Sequence, residues 1–119
     1  MKNRELIVAL DVSGAEARRL VRGIGPSVNF YKVPPSSTLE DPKLIAWLQA
    51  RRKKVFLDCK WFDIPTQVRR SVEAAGRLGV TAVTLHASAG RAVMAAAVAA
   101  RPKPLIWGVT VLTSFGPDD

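Results

Sequence analysis

The sequence contains little of what would place it in a specialised class of protein. Its 119 residues include one cysteine, Cys59, so no disulfide can form within the chain, and this indicates a reducing compartment. The longest apolar run, Ala92–Ala100, is about half of the 20 residues that a membrane helix needs. The charged start Met1–Glu5 leads into an apolar run too short for a signal peptide. These absences favour a cytoplasmic protein that does not associate with membranes.

Acidic residues are also scarce, and the length itself is limiting. The chain has 18 Lys and Arg against 10 Asp and Glu, a net charge of +8, which favours anionic partners such as nucleic acid, an acidic membrane surface or a phosphorylated small molecule. Apolar residues make up 48% of the chain, as in ordinary globular proteins. We expect one domain over residues 1–119, because that length fits one compact domain. A complete eight-stranded βα barrel needs about 250 residues, so the length excludes one.

Apolar runs alternate with helical patterns along the whole chain, which predicts an α/β fold of parallel βα repeats with about five strands and four helices. Ser13, Asp41 and Asp63 precede three of the helical patterns as candidate caps, and Gly79 ends one of them. The predicted strands cover 6–10, 28–33, 55–60, 82–85 and 105–112, the predicted helices cover 15–24, 42–52, 64–78 and 88–100, and 34–38 is predicted as a loop.

A polar or charged residue stands at the carboxyl end of each predicted strand. In parallel βα folds this edge of the sheet is where ligands and catalytic groups gather, so the pattern predicts one shared pocket. A packing role is the preferred interpretation of the histidine in this set. The residues are Asp11, Lys32, Asp58 with Lys60, His86 and Thr113.

The tripeptide Asp58-Cys59-Lys60 sharpens this prediction. Strand side chains alternate between faces, so Asp58 and Lys60 should share one face, and Lys32 of the neighbouring strand should add a second ammonium. Charges of alternating sign tolerate burial because each has an opposite partner. A lysine placed in this way is a plausible general acid beside a developing carbanion. Asp63 is equally well explained as a helix cap or as a member of the site.

The segment Leu57–Pro65 resembles the D-x-K-x-x-D-I-P signature of the orotidine 5'-phosphate decarboxylase family. Four further segments are similar to the family's strands in the same order, and together the matches span nearly the whole chain. The resemblance implies a partial TIM (β/α)8 barrel, the N-terminal half of the family's fold. The four segments are Leu6–Asp11, Phe30–Val33, Leu85–Arg91 and Val109–Ser114.

The resemblance implies a lyase without cofactor or metal that converts orotidine monophosphate to UMP and CO₂ in pyrimidine biosynthesis. By the same resemblance Lys60 donates the proton to C6, Asp58 lies near the substrate carboxylate, and Lys32 completes a Lys-Asp-Lys-Asp network and contacts the ribose. The family is a homodimer, with Asp63 contributed across the interface. Further substrate contacts are implied for Asp11, Thr66, Gln67 and Thr113.

The sequence departs from the family pattern in three places. Pro34-Pro35 follows Lys32-Val33 where the family has glycine, and Thr66-Gln67 stands where the family reads Asn-Thr. The family's phosphate-gripping residues belong to its second half, which these 119 residues do not include. We therefore expect the chain alone to have little activity, since such enzymes use remote phosphate binding to organise the site.

Three alternatives remain. The chain could be a sibling sugar-phosphate decarboxylase or aldolase that needs Mg²⁺, although Ile64-Pro65 argues against it. It could be a non-catalytic fragment that binds anions or self-associates through its strand edge. The basic runs Arg51–Lys54 and Arg69-Arg70 could also bind nucleic acid, but no stacking aromatic accompanies either run in sequence, and a solvated surface is the preferred interpretation.

Overall fold

The structure, a computed structural model, describes residues 4–119. Helices separate the successive strands along this range, as the sequence predicts, but two helices instead of one lie between the second and third strands. The strands are β1 (Val8–Ala9), β2 (Phe30–Val33), β3 (Lys54–Trp61), β4 (Ala82–His86) and β5 (Leu105–Val109), and the helices are α1 (Gly14–Ile24), α2 (Pro35–Glu40), α3 (Leu44–Ala50), α4 (Pro65–Leu78) and α5 (Arg91–Ala99).

The five strands form one sheet in the order β1-β2-β3-β4-β5. Pairing is parallel between β1 and β2, between β2 and β3, and between β4 and β5, with Lys32 opposite both Ala9 and Phe56. The chain divides into two compact units, the first ending at Asp58 and the second starting at Cys59 within β3. The predicted α/β fold of parallel βα repeats is therefore confirmed.

Helix α1 begins as predicted. The Ser13 Oγ accepts a hydrogen bond from the Glu16 N–H at 3.3 Å, which satisfies one of the free donors of the first turn. Gly14 has no room for a side chain because Asp41 lies against it. Arg18, one turn along the helix, forms an ion pair of 2.9 Å with the same aspartate.

The segment predicted as a loop over 34–38 is instead the start of helix α2. Pro35 is compatible with the first position of a helix, where no N–H partner is needed. Ser37 is buried, and its Oγ lies 3.5 Å from the Val12 carbonyl oxygen, to which it donates. The Thr38 Oγ1 donates to the Pro35 carbonyl within the helix at 2.7 Å. The interpretation of this proline- and serine-rich segment as a loop was wrong, because both residue types also suit the start of a helix.

The next helix, α3, starts later than predicted. It runs from Leu44, so Asp41 is not its cap and Pro42 is not its first residue. Asp41 ends α2 instead, while its carboxylate accepts from Arg18 and from the Lys43 N–H. The ion pair with α1 thus takes the carboxylate that the sequence assigned to helix capping.

Trp47 on α3 corrects the expectation that no aromatic residue accompanies the basic runs. The Arg51 guanidinium lies 3.8 Å from the centre of the Trp47 ring, and those of Arg18 and Arg22 lie at 5.6 and 5.4 Å. Cation–π attraction of this kind stabilises guanidinium groups over an indole. The basic run therefore meets an aromatic ring in space, one turn away on the same helix.

The second unit has its own apolar core between α4, α5 and the sheet. The left-handed Gly79 ends α4 as predicted, with φ of 77°. Helix α5 begins at Arg91 after a single 3₁₀ turn over Ala87–Ala89, so its first predicted residues belong to that turn. Strand β5 ends at Val109, three residues early. The core residues are Val68, Val72, Leu85, Val93, Ala97 and Ala100.

No helix in residues 4–119 is long and apolar enough to span a membrane.

Candidate functional site

A lysine flanked by two carboxylates is the main charged feature of the first unit. The Lys32 Nζ lies 3.4 Å from the Asp11 Oδ2 and 3.7 Å from the Asp58 Oδ2. The Asp58 side chain is 8% exposed, whereas that of Asp11 is 58% exposed. The three side chains therefore form a row, Asp11–Lys32–Asp58, that leads from solvent to a buried carboxylate, with the Lys32 ammonium between the two negative charges.

The parallel sheet brings these three residues together. Asp11 follows β1, Lys32 lies in β2 and Asp58 lies in β3, so each stands at or near the carboxyl end of its strand. A carboxylate as buried as Asp58 is costly unless it is paired, and Lys32 supplies an opposite charge. The sequence predicted this juxtaposition from strand ends and side-chain alternation alone.

An open cavity of about 460 Å³ adjoins this row of charges. Its walls include Asp11 and residues from the segments that follow β1 and β2. Ser36 and Glu40, two of its lining residues, were not among the predicted site residues. Ser36 lies in the segment that was interpreted as a loop, and Glu40 lies just beyond it. The lining residues are Asp11, Val12, Ser13, Pro34, Ser36 and Glu40.

Lys60 has an unusual backbone conformation in the second unit. Its φ is 48°, in the left-handed region that non-glycine residues seldom adopt, although it lies within β3. Its N–H donates to the Oγ1 of the buried Thr84 at 2.9 Å. The side chain is half-buried.

Asp63 is not the cap of α4, contrary to one of its two interpretations. The residue before that helix is Ile64, which makes no side-chain cap, and Asp63 Oδ1 accepts from the Ile64 N–H at 2.7 Å. Asp63 is exposed, as are Thr66 and Gln67 in the first turn of α4. Of the two interpretations of Asp63, membership of the site is therefore the one that remains.

A second cavity, of about 400 Å³, lies within the second unit and is largely apolar. His86 is half-buried there, with its ring 5.9 Å from that of Phe62 in an edge-on arrangement. This contact fits the packing role predicted for His86. Thr113 is exposed, next to the lining residue Leu112. The lining residues are Phe62, His86, Ser88, Thr110, Val111, Leu112, Phe115 and Asp119.

Sequence reasoning missed the two phenylalanines of this cavity. Phe62 and Phe115 are 65% and 54% exposed, and each follows a strand by a few residues. The sequence signal that could have identified them is an aromatic residue shortly after the end of a predicted strand. Within residues 4–119, no three histidine, cysteine or acidic side chains lie close enough together to hold a metal ion.

Consecutive parallel βα units with charged residues at their strand ends define an α/β protein of the βα-barrel class. The Orotidine 5'-phosphate decarboxylase / HUMPS family model matches residues 4–119. The chain therefore belongs to this family.

Individual relatives agree with the family assignment. An orotidine 5'-phosphate decarboxylase of Methylococcus capsulatus is 42% identical over 117 residues, which are 96% of this chain and 48% of the relative. The solved Lactobacillus acidophilus orotidine 5'-phosphate decarboxylase superimposes with a TM-score of 0.86 at 31% identity, over 98% of this chain and 57% of that one. An uncharacterized conserved protein from Geobacillus kaustophilus gives 0.83 at 34% identity, over 94% and 57%. The chain thus spans about half the length of these relatives, which confirms a partial barrel.

Proposed function

We propose that this chain supplies the charged half of an orotidine 5'-phosphate decarboxylase site, which converts orotidine monophosphate to UMP and CO₂ without a cofactor. The observation that carries the proposal is the row Asp11–Lys32–Asp58, in which one lysine lies within 4 Å of two carboxylates. Its residues are those that the family resemblance assigns to the site. Net charge of +8 suits an anionic nucleotide.

Asp58 is the group that promotes loss of CO₂ in this proposal. Its carboxylate, 8% exposed, would face the carboxylate of the bound substrate, and two like charges in a poorly solvated place raise the free energy of the bound state. The repulsion falls as CO₂ leaves as a neutral molecule. The interaction therefore disfavours the substrate more than the transition state, which accelerates the step.

Lys60 is the proton donor. When the bond between C6 and the carboxyl carbon breaks, its electron pair stays on C6, and the Lys60 ammonium transfers a proton to that carbon. Lys32 supplies the positive charge beside Asp58 and contacts the ribose, together with Asp11. The product is UMP, and the lysine regains its proton from solvent.

The remaining assignments concern recognition of the substrate. Thr66, Gln67 and Thr113 contact the nucleotide, and Asp63 acts in the site of a second subunit, so the working assembly is a homodimer. The exposure of Asp63 and its absence from the helix cap support that role. Recognition of the phosphate falls to the half of the relatives that lies beyond their match to this chain.

The names of the curated relatives support orotidine monophosphate over the substrate of a sugar-phosphate sibling. The two can be separated by chelation. Decarboxylation of orotidine monophosphate that is unaffected by EDTA supports the proposal, whereas a reaction that requires Mg²⁺ contradicts it.

The proposal is tested by following pyrimidine absorbance with purified chain and orotidine monophosphate. We expect slow turnover at best from the 119 residues alone, and faster turnover when the second half of a relative is added in trans. Lys60→Ala should abolish the reaction, because no other group is proposed to protonate C6. Lys43→Ala, an exposed lysine outside the row, is the matched control and should leave the rate unchanged. Equal rates for wild type and Lys60→Ala would refute the role of Lys60.

A further inference from the structure

The backbone at Lys60 is held against its local preference. A φ of 48° brings the β-carbon of an L-residue close to a backbone carbonyl oxygen, so glycine or asparagine is the usual occupant of this region. Lysine has no preference for this conformation, so backbone preference does not explain why a lysine stands here. Strained residues of this kind persist where the surrounding structure fixes them and are concentrated at functional sites.

Arg52 provides a comparison within the same chain. Its φ is 59°, but it lies in the exposed turn that follows α3, and its N–H donates to the Gln49 carbonyl at 2.9 Å. Left-handed residues are common at that place, just after a helix. Lys60 lies inside a strand, where the helix-end explanation does not apply.

Thr84 makes a hydrogen bond with the backbone of Lys60. It is 5% exposed and is the polar member of the buried run Ala82–Leu85 in β4. Its Oγ1 accepts the Lys60 N–H at 2.9 Å, so a side-chain hydroxyl takes a donor that strands usually give to a backbone carbonyl. A buried hydroxyl and a buried amide are both costly without a partner, which favours this pairing.

We propose that Thr84 is a positioning residue for Lys60, whose hydroxyl holds the lysine backbone in the left-handed conformation and thereby fixes where its ammonium lies. The inference rests on the proposed function, because that is what gives the ammonium its task. Thr84, in β4, would then influence the reaction through Lys60 and not by contact with the substrate. A valine, equal in shape but without an acceptor, would keep the packing and lose the restraint.

The test compares Thr84→Val and Thr84→Ser with wild type, using Thr81→Val as the matched control. Thr81 lies just before the same strand, and its backbone carbonyl accepts the Leu105 N–H at 3.0 Å. One measurement does not depend on activity, namely hydrogen exchange of the Lys60 amide. The second is kcat and KM for orotidine monophosphate with the second half added.

We expect Thr84→Val to speed exchange of the Lys60 amide by about fivefold or more, the effect of losing one hydrogen bond. In Thr84→Val kcat should also fall more than KM changes, and Thr84→Ser should restore both the exchange rate and kcat. Thr81→Val should match wild type. Unchanged exchange of the Lys60 amide in a folded Thr84→Val protein would overturn the inference. If no variant decarboxylates, the proposed function fails, while amide exchange still decides whether Thr84 positions Lys60.

Discussion

The two units of the chain are organised by different forces. In the first unit, three of the four residues of β2 are buried, and the fourth, Lys32, is satisfied by two carboxylates. In the second unit, β5 has no buried residue, and Leu105 at its start is 58% exposed. The first unit therefore contains a compensated buried charge beside its apolar core, whereas the second presents apolar surface along the last strand of the sheet. Changes to charge should affect the first most, and changes to apolar surface should affect association of the second.

The largest effect should come from Lys32→Ala. The substitution takes away the ammonium that lies 3.7 Å from the Asp58 carboxylate, which is 8% exposed, and removal of one member of a buried ion pair strongly destabilises the fold. We expect the free energy of unfolding to fall by about 2 kcal/mol at neutral pH, measured by urea denaturation.

Arg19→Ala is the control for charge removal as such. Arg19 pairs with Glu16 on the surface of α1, where ion pairs contribute roughly 0.5 kcal/mol or less. Adding Asp58→Asn to Lys32→Ala should recover part of the loss, because the buried negative charge is then removed. Equal effects of Lys32→Ala and Arg19→Ala would show that the first unit does not depend on its buried charges.

An intermediate effect is expected at the edge of the second unit. Strand β5 stands at one end of the strand order, and an exposed apolar edge favours pairing with another chain. Leu105→Lys should weaken concentration-dependent self-association by about tenfold, as measured by analytical ultracentrifugation, because burial of a leucine on association is lost. Val98→Lys, on α5 with 54% exposure, should change association little. A wild-type chain that stays monomeric at all concentrations would contradict this description of β5.

The smallest effect should appear on the surface of α4. The Arg69 Nε donates to the Glu73 Oε1 at 3.0 Å, and this hydrogen bond holds the pKa of Glu73 below its usual 4.5. The folded state therefore takes up that proton at lower pH than the unfolded state, so the stabilisation is complete at neutral pH and disappears as pH falls through the lowered pKa.

Arg69→Gln should thus lower the unfolding temperature slightly at pH 7 and not at about pH 2. Arg70→Gln, an exposed neighbour, should show no such pH dependence. A difference that grows as pH falls would contradict the direction of the pKa change.

Sequence reasoning recovered the features that depend on strand ends. Asp11, Lys32 and Asp58 could be grouped because parallel strands bring their carboxyl ends to one edge, and the structure has them in contact. The fold class followed from the alternation of apolar runs and helical patterns. Both inferences use local patterns that repeat along the chain.

The features that failed depend on contacts distant in sequence. Asp41 was assigned to the helix after it, yet it pairs with Arg18, 23 residues earlier. Pro35 was interpreted as part of a loop, but it starts a helix that contains the buried Ser37. The sequence also did not predict the left-handed backbone of Lys60, because the pattern of Asp58-Cys59-Lys60 is that of an ordinary strand. Asp41 and Ser37 thus contact residues more than 20 positions away, which a local pattern does not reveal.

The central claim, that these residues are the charged half of a decarboxylase site, is tested most directly in a chimera. Residues 1–119 would be joined to the remaining half of the 42% identical Methylococcus capsulatus relative, and formation of UMP from orotidine monophosphate would be measured. We predict that the chimera decarboxylates orotidine monophosphate and that Lys60→Ala abolishes the activity. A folded chimera with no activity, or one that stays active with Lys60→Ala, would contradict the claim.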